Sequence, residues 1–377
     1  MDLDFTEEQK MLKNWARDLL DKECPKAAVR EMQKDEKGYS PELWQKMTDQ
    51  GWLGLVFPEA YGGAGYDFMG LVVLLEEMGR ALMPGPYFST VVLGGMPILD
   101  FGTEAQKKEY LSKIAKGQMI MTMALTEPSA TWEASGVAAK ATPEGDNYVI
   151  NGTKLFVHNA HIADCILTVA RTKESADPTD GLTLFLVDGK SPGISTTVLQ
   201  TIDLSKQCEV VFNNVRVPKA NVLGEVNKGW ALVEKILDKA AVAQCAEMVG
   251  GAQAVLDMTV NYAKERVQFG RPIGSFQAIQ HHCANMVTDV DGSRYITYEA
   301  AWKVNEGLPA KMEAAMAKAW VSDAYRRVTQ VGHQVHGGIG FCEDHDMPLY
   351  YKRAKVSEVS FGDADFHRKA VAAELGL

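Results

Sequence analysis

The stretches RVQFG at residues 266–270 and QVHGGIG at residues 334–340 carry most of the information about how this chain folds. The glycines of the second stretch could suggest a dinucleotide-binding loop, but such a loop follows a strand, and residues 315–331 read as helix. One interpretation is therefore a glycine-rich helix end that His336 caps. The other is a point at which glycine lets the backbone come close to a bound phosphate or adenosine.

The first stretch also has two interpretations. Arg266 stands at the end of a long predicted helix and can hold a pyrophosphate through charge-assisted hydrogen bonds, while Phe269 offers an apolar contact to a nucleotide. The alternative is a solvated arginine and a phenylalanine buried in a turn. Neither stretch alone decides between a binding role and a structural one.

The composition excludes several classes of protein. The chain has 377 residues, enough for two or three domains, of which 46% are hydrophobic and 23% charged. A net charge of −10 and the lack of basic runs argue against a nucleic-acid surface. The sequence has no apolar run of membrane-spanning length, and the acidic residues 1–4 are unlike a signal or transit peptide.

The cysteines and histidines give no sign of a disulfide framework or a metal centre. The six cysteines are scattered, which indicates free thiols in a reducing compartment. The run His281-His282-Cys283 lacks a second ligand cluster at metal spacing, so no metal site is predicted. We therefore expect a cytoplasmic enzyme or enzyme subunit.

The first third of the chain reads as helices. Thr6 and Gln9 form a predicted capping box ahead of an apolar helical face. Further helices are predicted at residues 41–50, 67–81 and 104–116.

Residues 121–222 read as a small antiparallel β domain, because short β-branched runs alternate there with turn residues. Asn151-Gly152, between the runs 147–150 and 154–157, is a strong signal for a two-residue hairpin. Further strands are predicted at residues 165–171, 182–187, 194–199 and 209–217. Since the strands are not interleaved with helices, a doubly wound nucleotide fold is excluded.

Long helices return after Gly229. Residues 230–269 are predicted to form one unusually long helix, and the alanines here and at 310–324 suit close packing in a bundle. The predicted fold is therefore α+β and multidomain. It comprises an N-terminal helical domain (1–120), a central small antiparallel β domain (121–224) and a C-terminal helical bundle (225–377).

Together with Phe276-Gln277 and YYKRA at residues 350–354, the two opening stretches resemble the C-terminal half of the acyl-CoA dehydrogenases. ALTEP at residues 124–128 and NGTK at residues 151–154 are similar to two motifs of that family's β domain. The resemblance covers nearly the whole chain and implies the same three-domain fold with bound FAD. It also implies α,β-dehydrogenation of an acyl-CoA thioester, in which a carboxylate removes the α-proton while the β-hydrogen leaves as hydride to the flavin.

The resemblance also implies partners. Family members pass electrons from reduced flavin to a protein acceptor, such as an electron-transfer flavoprotein, and their flavin sites are shared between subunits. The stretch GRALMPGPY at residues 79–87 resembles branches that act on bulky, branched or dicarboxylic acyl-CoA substrates. Several of these branches are built from two different but related subunits, so we expect either a homo-oligomer or a hetero-oligomer.

The positions that match motifs of the acyl-CoA dehydrogenases give the expected site residues. Two residues, Leu125 and Thr126, are expected at the flavin ring. The dinucleotide is expected to contact Arg266, Gln268, Phe269, Gln277, Gln334, Gly337 and Gly338. Substrate contacts are expected from Ser129, in the loop that borders the thioester, and from Asp238, which matches a family aspartate.

Two ring-side positions depart from the family pattern. Phe156 stands where relatives have a tryptophan that packs on the flavin, and it can still pack as an aromatic side chain. His158 replaces a smaller hydroxyl residue that bonds near the reactive nitrogen. The imidazole can replace that donor only if space allows, and the alternative is a half-exposed histidine on a strand.

The largest departure concerns the general base. Relatives carry a glutamate at one of two positions, and these are Phe361 and Ala240 here, neither of which can accept a proton. Asp363 and Asp365 lie close to the first position and are candidate bases. The alternative is that both are solvated acids at the start of a helix, where negative charge is favourable.

Four functions therefore remain open. The chain is a base-lacking subunit of a heteromeric acyl-CoA dehydrogenase, or a self-sufficient homo-oligomeric enzyme with an unusual Asp base. The third possibility is a flavoenzyme of the same fold with other chemistry, such as oxygenation or desulfination, which needs no α-proton base. The fourth is a non-enzymatic scaffold.

Overall fold

The computed structural model describes residues 5–377, and the acidic residues 1–4 lie outside this part. Along the chain, N-terminal helices precede a β sheet and a helical bundle follows it, so the predicted α+β class is confirmed. Contacts group the residues into two compact units. The first contains Met1–Glu31, Asp67–Met83 and Asp238–Leu377, and the second contains Met32–Tyr66 and Pro84–Leu237.

The α-helices are numbered in chain order. The N-terminal third contains α1 (Glu7–Glu23), α2 (Lys26–Lys34), α3 (Pro41–Asp49), α4 (Phe68–Ala81), α5 (Tyr87–Thr90), α6 (Met96–Phe101), α7 (Glu104–Gln106) and α8 (Ser112–Ala115). Single π-helical segments, Val91–Gly95 and Lys107–Leu111, join α5 to α6 and α7 to α8. The last third contains α9 (Trp230–Glu265), α10 (Gln277–Asn305), α11 (Lys311–His336), α12 (Met347–Val359) and α13 (Ala364–Glu374).

Local signals in the sequence account for several helix starts. The predicted capping box at α1 is present, since the Thr6 hydroxyl accepts from the Gln9 amide while the Gln9 side chain accepts from the Thr6 amide. Asp67 caps α4 by accepting a hydrogen bond from the Gly70 amide at 2.8 Å. The helices predicted at 41–50 and 67–81 are present as α3 and α4, and their bounds agree to within a residue.

Helices α4 and α9 pack backbone to backbone in the first unit because glycine stands where they touch. A Cβ added at Gly79 would lie 2.0 Å from the carbonyl oxygen of Glu247, and one added at Gly250 would lie 1.8 Å from that of Glu76. Any larger residue would force the helices apart.

The sheet of the second unit is mixed, although the sequence predicted an antiparallel one. Its strands are β1 (Met121–Ala124), β2 (Lys140–Glu144), β3 (Asn147–His158), β4 (Cys165–Arg171), β5 (Leu182–Asp188), β6 (Ile194–Leu199), β7 (Gln207–Pro218) and β8 (Val222–Leu223). They run in the order β6-β7-β3-β2-β4-β5-β8, and β1 pairs with β4. The β1–β4 and β2–β4 pairings are parallel and the others antiparallel. The parallel pairings join strands that are distant in the sequence. The local alternation of residues predicts where a strand lies but not which distant strand it pairs with.

The predicted hairpin at Asn151-Gly152 is wrong. Strand β3 continues through both residues, and the two-residue turn lies instead at Gly145-Asp146, between Glu144 and its partner Asn147. Asn151 bonds across to Asn214 on β7 rather than closing a turn, with the Asn214 amide donating to its side chain at 2.8 Å. Tertiary pairing with β7 thus overrides the local turn propensity.

Other sequence predictions concern thiols, metals and membranes. All six cysteines are free, as expected from their scattered spacing. Residues 5–377 hold no group of three or more His, Cys, Asp or Glu side chains placed to bind a metal ion. Across the same residues, none of the helices has the length and apolar character needed to cross a bilayer.

Candidate functional site

The turn after α9 contains the first of the two stretches that are predicted to bind the nucleotide. The long helix ends at Glu265 rather than at residue 269 as predicted, and a short hairpin follows, formed by β9 (Val267–Gln268) and β10 (Arg271–Pro272). Phe269 and Gly270, with φ of 54° and 80°, form the two-residue turn. The side chain of Phe269 is 93% exposed at the tip of this hairpin.

The second stretch forms the end of α11. The helix stops at His336, and Gly337 adopts φ of 64° and ψ of −141°, a conformation that only glycine adopts readily. A Cβ added at Gly337 or Gly338 would meet no atom within 4 Å, so this backbone is open to a ligand. Beside this opening, the Nδ1 of His336 donates to the carbonyl oxygen of Gly332 at 2.8 Å, near the end of α11.

One ring contact brings the two stretches together. The rings of Tyr262 and His336 stack with their centroids 4.5 Å apart. Tyr262 lies one turn before Arg266 on α9, and His336 lies just before Gly337 and Gly338, so the ends of α9 and α11 are adjacent.

The residues at these helix ends fit an FAD. The expected dinucleotide contacts are all exposed: Arg266, Gln268, Phe269, Gln277, Gln334, Gly337 and Gly338. Together they offer a cationic donor for a pyrophosphate, amide groups for ribose and adenine, an apolar ring, and glycine backbone that a phosphate can approach closely.

A buried ion pair fixes the ring-side segment of the second unit. The fully buried Lys154 donates from Nζ to Glu127 Oε1 at 2.7 Å and to the carbonyl oxygen of Leu125 at 3.1 Å. The Glu127 carboxylate also accepts from the amides of Ala138 and Ala139. These bonds hold Leu125, and with it Thr126, in place.

The two ring-side substitutions lie beside an irregularity in β3. The register between β3 and β7 shifts between Lys154 and Val157, and Phe156 in this bulge has φ of 56° with its side chain 48% exposed. His158 is half-buried opposite Gln207. The bulge thus turns the Phe156 ring away from the core of the sheet, where it is available to a ligand.

The two expected substrate residues lie in different units. Ser129 is exposed and donates from Oγ to the carbonyl oxygen of Gly136 at 3.2 Å, which closes the loop after β1. Asp238 is half-buried on α9.

The two positions at which the resemblance places the base carry buried, non-ionisable side chains in the first unit. Ala240 on α9 is fully buried, and Phe361, just after α12, is 5% exposed. Gln244, one turn after Ala240, lies 3.4 Å from the hydroxyl of Ser357, one turn before Phe361. The two positions therefore belong to one region between α9 and α12.

The candidate bases are exposed and engaged at the start of α13. Asp363 caps this helix by accepting from the Phe366 amide at 2.8 Å, and Asp365 pairs with Arg368 at 2.8 Å. These contacts are the ones expected if both residues are solvated acids at the start of a helix.

Sequence reasoning missed two residues that contact the turn at residues 360–363, between α12 and α13. Lys318 on α11 is fully buried and donates to the carbonyl oxygen of Gly362, while His367 donates from Nε2 to that of Phe361 at 2.8 Å. The one available signal was that Lys318 interrupts the otherwise apolar run 314–321.

Comparison with known proteins gives full-length matches. Three family models match: the acyl-CoA dehydrogenase N-terminal domain over residues 6–118, the middle domain over 122–215 and the C-terminal domain over 227–376. The caffeyl-CoA reductase-Etf complex subunit CarC of Acetobacterium woodii is 34% identical, covering 98% of this chain and 99% of CarC.

Solved structures agree. Butyryl-CoA dehydrogenase from Megasphaera elsdenii matches with a TM-score of 0.93 at 32% identity, covering 100% of both chains. A chain of the ChsE4-ChsE5 complex from Mycobacterium tuberculosis matches with a TM-score of 0.91 at 31% identity, covering 100% of this chain and 99% of that one.

Proposed function

Because the chain belongs to the acyl-CoA dehydrogenase family of FAD-dependent oxidoreductases, we propose that it is the base-lacking subunit of a heteromeric acyl-CoA dehydrogenase. One observation carries this proposal. The two positions at which relatives place their base are a fully buried alanine, Ala240, and a buried phenylalanine, Phe361. Neither side chain can remove the α-proton of a thioester.

The nucleotide side, in contrast, keeps its binding groups. Arg266 and Gln334 present exposed polar side chains at the adjacent ends of α9 and α11, and Gly337 and Gly338 leave the backbone between them open. FAD, when bound, supplies the hydride acceptor of the reaction. In our proposal this chain binds and orients the dinucleotide, and a related partner subunit contributes the carboxylate.

Exposed apolar side chains support assembly with another subunit. Phe269 is 93% exposed on its hairpin, and Phe341, which follows the glycine turn, is 71% exposed. Aromatic rings this exposed beside a polar binding surface are typical of sites that a partner covers. The match to a chain of the ChsE4-ChsE5 complex is consistent with assembly with a second, different subunit.

The match to CarC supports an electron-transfer flavoprotein as redox partner, since CarC is a subunit of a reductase-Etf complex. In our proposal this partner accepts the electrons of the reduced flavin. The resemblance of residues 79–87 favours a bulky, branched or dicarboxylic acyl-CoA as substrate. We expect a cytoplasmic location, because six unpaired thiols suit a reducing compartment.

The test is an anaerobic flavin-bleaching assay of the homogeneous chain with a panel of acyl-CoA thioesters. We expect little or no bleaching from the chain alone, and bleaching once a related subunit with a glutamate at either base position is added. Asp363→Asn and Asp365→Asn are assayed in parallel.

Rapid bleaching by the chain alone would refute the proposal. If that bleaching fell by roughly 10²–10⁴ in one Asp→Asn variant, the second candidate function, a self-sufficient enzyme with an Asp base, would replace it. If neither variant changed the rate, both candidate bases would be wrong.

A further inference from the structure

Lys318 is a buried cation that has no part in the proposed function. Its side chain on α11 is fully buried. Its Nζ donates to the carbonyl oxygens of Glu358 and Gly362 at 3.1 and 2.9 Å, and to the hydroxyl of Ser322 at 3.0 Å. A buried ammonium group destabilises the folded state unless hydrogen bonds replace its lost hydration. The presence of a lysine at this point of the fold therefore indicates a role for it.

The two carbonyl partners explain how the charge is tolerated. Glu358 lies in the last turn of α12, where unpaired carbonyl groups give the helix end a partial negative charge. Burial lowers the pKa of Lys318 to about 8, with the nearby charges of Asp363 and Glu358 acting in the opposite direction. The side chain is therefore mainly protonated at neutral pH.

The same lysine connects three elements. It extends from α11 to the end of α12 and to the turn at residues 360–363, which precedes α13. The turn is also tied at the neighbouring residues, because His367 donates to the carbonyl oxygen of Phe361 and Asp363 accepts from the amide of Phe366.

The backbone of this turn needs such support. Phe361 has φ of 58° and Gly362 has φ of 95°. A phenylalanine in the left-handed region is strained, and such a conformation persists only when the surrounding contacts impose it. Hydrogen bonds hold three consecutive residues of the turn. The carbonyl oxygen of Phe361 accepts from His367, that of Gly362 accepts from Lys318, and the side chain of Asp363 caps α13.

We propose that Lys318 is the positioning residue of the turn at residues 360–363, and that it holds residue 361 in a fixed orientation between α9 and α12. The inference rests on the proposed function, which takes residue 361 as the place of the missing carboxylate. In this chain the turn is kept as a rigid support although Phe361 contributes no base.

The first readout is local stability, measured by native-state hydrogen exchange of the whole chain. Lys318→Met removes the donor from two carbonyl groups, and we expect exchange in residues 358–366 to become at least about tenfold faster. Lys355→Met is the matched control, because Lys355 contacts the side chain of Glu358 rather than its carbonyl group. We expect it to leave exchange in this segment unchanged.

The second readout is kinetic and uses Phe361→Glu, which places a carboxylate on the turn. We expect this variant to bleach flavin with acyl-CoA, and to turn over when an added artificial electron acceptor reoxidises the reduced flavin. Adding Lys318→Met is then expected to lower kcat by about 10- to 100-fold while KM stays within about twofold, because a misplaced base affects the reaction more than binding. Adding Lys355→Met is expected to leave kcat unchanged.

Unchanged exchange in Lys318→Met, or equal kcat with and without Lys318, overturns the proposal. If Phe361→Glu shows no turnover, the assignment of the base position in the proposed function fails, and hydrogen exchange alone decides the role of Lys318. Should Lys318→Met not fold, Ser322→Ala removes the third contact of the ammonium group. A smaller but measurable rise in exchange is then expected, and no rise refutes the role.

Discussion

The buried pair of Lys154 and Glu127 gives a prediction whose size follows from its contacts. Both side chains are almost completely buried, and Lys154 also holds the carbonyl oxygen of Leu125 beside the expected flavin ring. Removing one partner of a buried ion pair destabilises a protein by about 3–5 kcal/mol, because the other charge is left uncompensated. Lys154→Met is expected at the lower end, about 3 kcal/mol, because Glu127 keeps hydrogen bonds from the amides of Ala138 and Ala139.

Native-state hydrogen exchange is the suitable assay, since a chain with two compact units is not expected to unfold in one step. The Leu155 amide donates to the carbonyl oxygen of Thr126 at 2.8 Å and reports on opening of this region. A loss of about 3 kcal/mol in the free energy of opening speeds its exchange by about two orders of magnitude.

The double variant Lys154→Met with Glu127→Gln tests the cause. It removes both charges, so we expect it to recover about 1 kcal/mol or more relative to Lys154→Met. Lys190→Met is the control, because Lys190 pairs with Asp164 at an exposed site and its loss is expected to leave the exchange of Leu155 unchanged. Unchanged exchange of Leu155 in Lys154→Met would refute the reasoning.

Three further predictions concern the cofactor, the assembly and the pH dependence of stability. Arg266→Ala is expected to weaken FAD binding by about 1.5–3 kcal/mol and Gln334→Ala by less, which gel filtration detects as loss of flavin from the protein. If both variants keep as much flavin as the parent, these residues do not contact FAD. Light scattering at micromolar concentration is expected to show an oligomer, and Phe269→Asp to favour smaller species; a stable monomer of the parent chain would contradict this. Burial and the nearby Lys318 lower the pKa of His367 to about 4. The unfolded state therefore binds the additional proton between about pH 6.5 and pH 4, and stability falls by about 2–3 kcal/mol as the pH is lowered through this window. His367→Gln is expected to remove that part of the pH dependence of the melting temperature, and an identical pH profile would rule out this assignment.

The sequence predicted best those elements whose signals are local. The capping box of Thr6 and Gln9 was readable because it involves residues only three positions apart. The strand at Cys165–Arg171 was predicted to the residue, since a continuous buried run bounded by polar residues leaves few alternatives.

The two errors have different physical causes. Asn151-Gly152 has the composition of a hairpin turn, yet its partner is Asn214, 63 positions away, and long-range pairing on β7 keeps the strand extended. The long helix was predicted to reach residue 269 but ends at Glu265, because a hairpin begins at Val267 and turns at Phe269-Gly270, where both residues have positive φ. Its Phe-Gly turn lacks the Asn-Gly or Asp-Gly composition that would have signalled it.

By itself the sequence predicted the α+β class of fold, and it shows directly that residues 240 and 361 are not glutamates, because these points depend on residue identity and on local patterns along the chain. The assignment of two stretches to the nucleotide came from the family resemblance and stays a prediction. Only the tertiary structure decided that the ends of α9 and α11 are adjacent, through the stack of Tyr262 on His336. It also decided that Lys318 and Lys154 are buried supports rather than solvated lysines. The physical reason is that the burial of a charge depends on which distant segments pack around it. A lysine looks the same in the sequence whether it faces water or buried oxygen atoms of other segments.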